Sequence, residues 1–389
     1  MITKDIQTVI HLRAETKPLE RRTCCKLHIS PTSVKELVRI GYHIHVERSP
    51  ERIYADREYQ DAGADLVPEG SWPDAPRDHL IVGLKELPDD GSVLPHTHIH
   101  FGHCFKQQDG WAECLSRYHD GGGKLYDLEF LCDNHGRRVA AFGYWAGYAG
   151  AAIAMMAWSH QLLHPGTRLG PLSLYDSSKM LRKDVSAALN MARETIHSSN
   201  PRVIIIGGQG RCGKGAIALC QHVGLRPEEI TVWSRKDTAR GGPFPEISAS
   251  DILINCIYLG KDRIPPFVTP ASLSAPGRRL RVISDVSLDP NNPNNPLPVY
   301  SQYSSFLNPT ISAPVKGDGP ELTVVSIDHL PNLIPREASD EFSAALFPTM
   351  RSLEWREEDN VWKAALAVYN EMVKKLPRAE WEPKRVGES

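Results

Sequence analysis

The stretch Val203-Ile204-Ile205-Ile206-Gly207-Gly208-Gln209-Gly210-Arg211-Cys212-Gly213-Lys214-Gly215-Ala216-Ile217-Ala218 carries the strongest local signal in the chain. Four aliphatic residues read as a buried strand, the glycines as a tight turn, and the alanine-containing run beyond them as the start of a helix. Gly208, Gly210 and Gly213 have the G-x-G-x-x-G spacing, in which glycines permit the turn, the approach of backbone to a pyrophosphate, and close packing of helix on strand. The free N–H groups and positive dipole end of that helix suit phosphates. The phosphate-loop pattern of nucleotide triphosphatases overlaps it from Gly208 to Lys214, but that pattern next needs Ser or Thr, and residue 215 is Gly. A dinucleotide site is the preferred reading, ahead of a triphosphate site or a turn with no ligand.

The next strand, residues 230–233, decides which dinucleotide. An Asp or Glu about 20 residues beyond the glycine turn would bind the adenine ribose hydroxyls. Here the strand runs into Ser234-Arg235-Lys236, and a serine followed by two cations suits a 2′-phosphate. The expected cofactor is therefore NAD or NADP, leaning to NADP, with Asp237 taking the carboxylate role if the strand ends later.

Outward from this motif, short apolar runs alternate with amphipathic ones. Strands are expected at residues 9–12, 43–46, 80–83, 99–101 and 125–130, then at 203–206, 230–233, 251–257 and 281–283. Between them fall a helix capped by Thr32 or Ser33, others near 58–62, 111–115 and 181–196, and helical periodicity from Ser339 onward. This βαβ rhythm implies an α/β protein of two Rossmann-like domains with parallel sheets. Residues 1–141 would form the first part of a substrate or catalytic domain, 142–331 the dinucleotide-binding Rossmann domain, and 332–389 helices returning to the first domain. Residues 139–158 carry no charge over a length that could span a bilayer. Tyr144, Trp145 and Tyr148 lie near its middle rather than at its borders, so a buried helix is expected.

The 389 residues hold 45 Lys+Arg against 47 Asp+Glu. Such balance argues against broad nucleic-acid or anionic-membrane binding. Eight scattered cysteines without a Cys-x-x-Cys pair point to a reducing compartment. The opening Met1-Ile2-Thr3-Lys4-Asp5 lacks the apolar core of a signal peptide, and Gly387-Glu388-Ser389 does not match a peroxisomal ending. A cytoplasmic monomer acting on small molecules is expected.

Lys85 and Glu86 follow a strand at its carboxyl end, where parallel-sheet sites gather. A lysine there can serve as a base if burial or cations lower its pKa. In His96-Thr97-His98-Ile99-His100-Phe101-Gly102-His103, period two puts three histidines on one strand face, resembling a metal-ligand array. Zinc sites draw further ligands from elsewhere, so no metal is expected and one histidine is preferred as a proton carrier. Arg137 and Arg138 suit a carboxylate clamp or an ion pair with Asp127 or Glu129, and Arg22 is a similar clamp candidate.

The segments His11 to Glu20, Gly83 to Pro88, Phe101 to Cys104, Leu125 to Phe130, Gly136 to Gly143, Ile254 to Tyr258 and Ser326 to Ser339 together resemble the fungal saccharopine dehydrogenase family over nearly the whole chain. The resemblance implies a bilobed relative of alanine dehydrogenase and transhydrogenase, with the active site in a cleft flanked by the two domains. It implies oxidative cleavage of saccharopine to lysine and 2-oxoglutarate on a nicotinamide cofactor. Lys85 would take the amine proton, His103 would serve the water and product steps, and Glu86 and Glu129 would tune both. Arg22, Gln108, Arg138, Phe142, Ser287, Leu288 and Asp289 would bind substrate. Arg137, Gly208, Gly210, Arg211, Gly213, Ser234, Arg235, Thr238, Tyr258, Val286, Ile327, Asp328, His329 and Leu330 would bind cofactor. Cys212 and Cys256 match a pair that can form a disulfide in the family.

Three departures stand out: Ser234 where the family usually has Asp, a longer loop at residues 21–31 beside Arg22, and His100 in place of a more usual polar residue. They leave open an NADPH-dependent opine or imine reductase that couples another amine and oxo acid. Further alternatives are a metal-dependent enzyme and a non-catalytic nucleotide sensor.

Overall fold

The computed structural model describes residues 6–15, 29–85, 87–197, 199–260, 263–288, 290, 292, 294–317 and 319–377. The chain divides into two compact units, residues 1–141 with 338–389, and residues 142–337.

The first unit contains β1 (Val9–Leu12), α1 (Pro31–Arg39), β2 (His43–Glu47), α2 (Asp56–Asp61), β3 (Asp65–Val67), β4 (Leu80–Val82), β5 (Thr97–His100), α3 (Trp111–Gly121) and β6 (Lys124–Asp127). Its strands form one sheet in the order β3-β2-β1-β4-β5-β6, every pair parallel. The chain order reverses at β1 and β4, the place where open α/β sheets bind ligands beyond the strand ends. α1 is capped by Ser30, not by Thr32 or Ser33. Pro31 has no N–H to leave unpaired and a fixed φ suited to the first helical position, so the cap falls one residue before it. Just beyond β4, a Cβ on Gly83 would lie 2.2 Å from Arg13 Nε, so no side chain fits there. β6 stops at Asp127, whose Oδ1 accepts from the Glu129 N–H at 2.8 Å and turns the chain.

One face of this sheet is unusually polar. His11 lies opposite His45 and Ile81, and Ile81 opposite His98, so these side chains share a face, with Glu47 and His100 two residues further along their strands. The helix Asn360–Val373 returns along edge strand β6, where Trp362 meets Tyr126 edge to face and the Tyr369 hydroxyl donates to the Gly123 carbonyl at 3.1 Å.

The second unit contains α4 (Gly143–Leu163), α5 (Ser178–Ile196), β7 (Val203–Ile206), α6 (Arg211–His222), β8 (Ile230–Trp233), α7 (Arg235–Thr238), β9 (Ile252–Asn255), β10 (Val282–Asp285), β11 (Ile311–Ser312) and β12 (Thr323–Val325). Its sheet order is β11-β12-β10-β9-β7-β8, parallel except for β11. Val203, Ile205, Ile252, Ile254 and Val282 face one apolar layer, while Ile204, Ile206, Leu253 and Ile283 face another. Burial on both faces explains the unbroken aliphatic runs of these strands.

The uncharged stretch forms most of α4 and is buried. A Cβ on Gly147 would sit 1.8 Å from the Cys212 carbonyl oxygen, and one on Gly215 would sit 1.8 Å from the Tyr144 carbonyl oxygen. Its small residues therefore serve backbone-to-backbone contact with α6. Among the described residues no helix is long and apolar enough to cross a membrane.

Candidate active site

In the first unit the chemistry gathers beyond β4, β5 and β6. Lys85, half-buried, is fixed by its backbone. Its N–H donates to Glu15 Oε2 at 3.2 Å, the preceding Leu84 N–H donates to Glu15 Oε1 at 2.7 Å, and its carbonyl accepts from His100 Nδ1 at 2.9 Å and from the Arg13 guanidinium. Arg13 is buried and ion-pairs with Glu15 at 3.6 Å. His100 Nε2 in turn meets the Tyr118 hydroxyl at 2.7 Å. Arg13, Glu15 and His100 are thus positioning residues for Lys85. Composition gave no hint of this, because their partners are backbone N–H and carbonyl groups rather than side chains.

The histidine strand is not a metal array. His96 spends Nε2 on the Ala75 carbonyl at 2.9 Å, and His100 spends both nitrogens as above. His98 is fully buried, and burial first, then the charges of His100 and Arg13, hold it well below the ordinary imidazole range. His98 is therefore neutral and unsuited to carry protons. His103, half-buried with φ of 52°, is the histidine of this segment turned out of the strand.

Around His103 stand two carboxylates with opposite behaviour. Asp127 is pushed up to about 6, chiefly by burial, against the lowering effect of the Glu129 and Gly102 N–H groups and of His103. Glu129 is also penalised by burial, yet its hydrogen bond from Lys106 and the charges of Lys106, Arg138 and His103 bring it below the usual range. Glu129 Oε1 accepts from Lys106 Nζ at 2.7 Å and from Arg138 at 3.1 Å. Two neighbouring carboxyl groups whose environments push their pKa values apart are suited to acid/base work. Asp127 entered the sequence reading only as an ion-pair partner, and its role rests on burial that sequence does not display.

The second unit presents the glycine turn at the reversal between β7 and β9. Gly207 takes φ of 87°, a Cβ on Gly208 would lie 2.2 Å from Val232, and one on Gly213 would lie 2.3 Å from the Gly207 carbonyl oxygen. Gly210 meets nothing closer than 3.4 Å. Tight packing at the first and third glycines with room at the second is the cradle a pyrophosphate needs, followed directly by the α6 N-terminus at Arg211. At the end of β8, Ser234 caps α7 and receives Asp237 in return: Asp237 Oδ2 accepts from the Ser234 N–H at 2.7 Å and from Ser234 Oγ at 2.8 Å. A carboxylate does stand at the strand end. The capping turn brings residue 237 back to 234, which spacing counted along a strand does not anticipate. Those two bonds hold the Asp237 carboxyl below its ordinary range.

Beyond β10, Asp285 is buried and accepts from Asn255 at 2.9 Å and from the Tyr300 hydroxyl at 2.5 Å, while its Oδ1 takes the Ser287 N–H at 3.2 Å. This shapes the turn holding Val286, Ser287 and Leu288, the last at φ of 48°. Thr238 Oγ1 donates to the Arg235 carbonyl at 3.2 Å, and Tyr258 is 86% exposed. Ile327 and Leu330 are buried in the apolar core, so only their backbone is available to a ligand, whereas Asp328 and His329 pair with each other at 2.9 Å. Arg137 is exposed and paired with Asp133 at 2.9 Å. Gln108 is exposed before α3, where its carbonyl accepts from the Trp111 N–H at 3.0 Å. Phe142 precedes α4. Arg22, Glu86 and Asp289 lie outside the described residues. Cys212 and Cys256 are both free thiols.

Residues 11–149 match the family model for the alanine dehydrogenase/PNT N-terminal domain. An L-alanine dehydrogenase superposes with a TM-score of 0.63 over 94% of this chain and all of its own, at 15% identity. The fold is that of two doubly wound α/β units shared with the alanine dehydrogenase class. The sequence relatives narrow this. The chain is 48% identical to a saccharopine dehydrogenase [NAD(+), L-lysine-forming] of Schizosaccharomyces pombe, over 94% of this chain and 98% of that one. It is also 48% identical to the enzyme of that name from Neurospora crassa, over 96% and 98% of the two chains. The chain belongs to the saccharopine dehydrogenase (NAD(+), L-lysine-forming) family.

Proposed function

We propose that this protein is a cytoplasmic, monomeric, NAD-dependent saccharopine dehydrogenase that releases L-lysine and 2-oxoglutarate, with the first unit carrying the acid/base groups and the second the dinucleotide. The observation that carries this is the gathering of Lys85, His103, Asp127 and Glu129 beyond β4–β6 in a chain so close to enzymes of that name. Gly208, Gly210 and Gly213 with the α6 N-terminus, and Asp237 beside Ser234, would hold a nicotinamide dinucleotide, which would supply a hydride acceptor for the substrate carbon attached to the secondary amine.

Lys85 takes the proton that leaves the amine nitrogen as the C=N bond forms. His103 removes a proton from the water that adds to that carbon and passes it to the nitrogen, then carries the remaining hydroxyl proton to the same nitrogen as the C–N bond breaks and the C=O bond forms. Lysine leaves with the nitrogen, and the oxo acid keeps the oxygen from water. Glu129, held ionised by Lys106 and Arg138, places a negative charge beside His103. Asp127, pushed up to about 6 by burial, adds a second carboxyl beside it. Arg138 supplies a cation for a substrate carboxylate at the cost of sharing it with Glu129, and Gln108 is a further substrate contact on the same unit.

NAD is proposed rather than NADP. The relatives carry NAD(+) in their names, and the ionised Asp237 beside Ser234 would repel a 2′-phosphate and accept from ribose hydroxyls. The earlier lean to NADP rested on the apparent lack of a carboxylate there. No comparison favours the opine reductase reading. The test is a spectrophotometric matrix of NAD and NADP against saccharopine. Turnover with NAD is expected, and no turnover under either cofactor removes the proposal.

A further inference from the structure

We propose that His11, His45 and His79 form a binding site for a single divalent transition cation of the zinc class, apart from the groups assigned to catalysis. The three come from three neighbouring strands of the first sheet. His11 and His45 are register partners on β1 and β2, and His79 is the residue immediately before β4 on the other side of β1. One ring nitrogen of each lies within 4.8 Å of those of the other two, making them the one such group of three or more among the described residues. The ring centroids are 6.0, 6.4 and 5.2 Å apart. Zinc–nitrogen bonds of about 2.0–2.1 Å in a tetrahedral set place ligand atoms roughly 3.3 Å apart, which leaves only a side-chain adjustment to close.

Two further observations point to a ligand here. His11 is 3% exposed and its Nε2 meets Glu47 Oε1 at 3.1 Å, while its Nδ1 is buried without a partner. An imidazole that gives one N–H to a carboxylate and keeps its other nitrogen free of protein partners has the outer-shell arrangement of metal-binding histidines. His79, 7% exposed, likewise has a buried Nδ1 with no partner. Buried nitrogens left unpaired cost stability, and a cation shared among them removes that cost. His45 is only half-buried and opens the cluster to solvent, so water can supply the fourth ligand.

The surroundings favour a cation. Asp65 and Asp78 place negative charge beside His45 and His79 respectively. His43 and His96 face His45 and His79 respectively as the other titratable neighbours. Three imidazoles with no carboxylate ligand suit zinc, cobalt, nickel or copper, not calcium or magnesium.

The test is titration of the chelator-treated full chain with Co²⁺, read by its visible absorption, and competition for Zn²⁺ against a chromophoric chelator. One equivalent should bind. His45→Gln and His79→Gln should each weaken binding at least tenfold, Glu47→Gln should weaken it about 10–100-fold, and His119→Gln on α3 should leave it unchanged. Circular dichroism checks the fold of each, and half-exposed His45 is the variant best able to keep it. Failure of the wild-type chain to bind Co²⁺ or Zn²⁺, or wild-type affinity in folded His45→Gln and His79→Gln, overturns the proposal. The readout does not pass through turnover, so metal binding without saccharopine oxidation, or the reverse, separates this inference from the catalytic one.

Discussion

Lys85 and His103 sit on different strand ends, and the residues that hold Lys85 act on its backbone. Lys85→Met should therefore remove the proton acceptor without disturbing Arg13, Glu15 or His100. A fall in kcat of about 10²–10⁴-fold is expected, with cofactor affinity unchanged in a fluorescence titration. Asp237 tests the other unit. Asp237→Ser should raise the NADP/NAD ratio of kcat/KM by about tenfold or more, since the variant loses the charge that repels a 2′-phosphate; an unchanged ratio assigns that carboxylate to capping Ser234 alone. Glu47 carries a pH signature. It is fully buried, and although burial disfavours its charge, hydrogen bonds from His11, Ala14, Gly70 and Trp72 at 2.7–3.1 Å bring its pKa below the ordinary value. A carboxyl whose folded pKa lies below its unfolded one adds stability that is present above the unfolded value and is lost as pH falls through the folded one. Glu47→Gln should cost about 2–4 kcal/mol at pH 7. In urea unfolding its deficit should narrow toward pH 3.5, and a constant deficit would place the pH effect elsewhere.

The elements were legible where one local cause dominates. Val203–Ile206 and its glycines read directly because burial on both faces leaves an uninterrupted aliphatic run, and the uncharged stretch read as a buried helix because its aromatics lie mid-span. Strand ends were legible only roughly. β6 stops at Asp127, whose carboxylate accepts from the Glu129 N–H and turns the chain, and such a cause leaves no trace in periodicity. The histidines show the same limit: period two drew attention to His96, His98 and His100, which hydrogen-bond to backbone and Tyr118 or lie buried and neutral. His11, His45 and His79 have no local pattern and are joined only by the strand order β2-β1-β4. Among helices, α4 and α6 offer the sharpest test, because Gly147 leaves no room for even one carbon against the Cys212 backbone. Gly147→Ala should push the helices apart and destabilise by about 1–3 kcal/mol or more. The loss should appear as a lower Tm with weaker NAD binding, since α6 carries the phosphate-binding end. A variant with normal Tm would mean that α4 can slide without cost.

At the scale of the whole chain, the first unit is discontinuous: its sheet is complete by residue 127, yet residues 338–389 belong to it as well. Trp362 shows what those last residues contribute. It is fully buried, packs edge to face on Tyr126 with ring centroids 5.1 Å apart, and donates Nε1–H to the Thr349 carbonyl at 3.0 Å. Removing so large a buried side chain costs about 3–5 kcal/mol. The loss falls on edge strand β6 and the helix that covers it, not on the second sheet, which has its own apolar layers on both faces. Chains of two cores need not unfold in one step. Trp362→Ala should therefore speed amide hydrogen exchange at residues 124–127 and 97–100, while residues 203–206 and 252–255 stay protected and NAD still binds. Equal loss of protection in both sheets would show that the two units unfold together, and the returning helices would then stabilise the entire chain rather than the unit they complete.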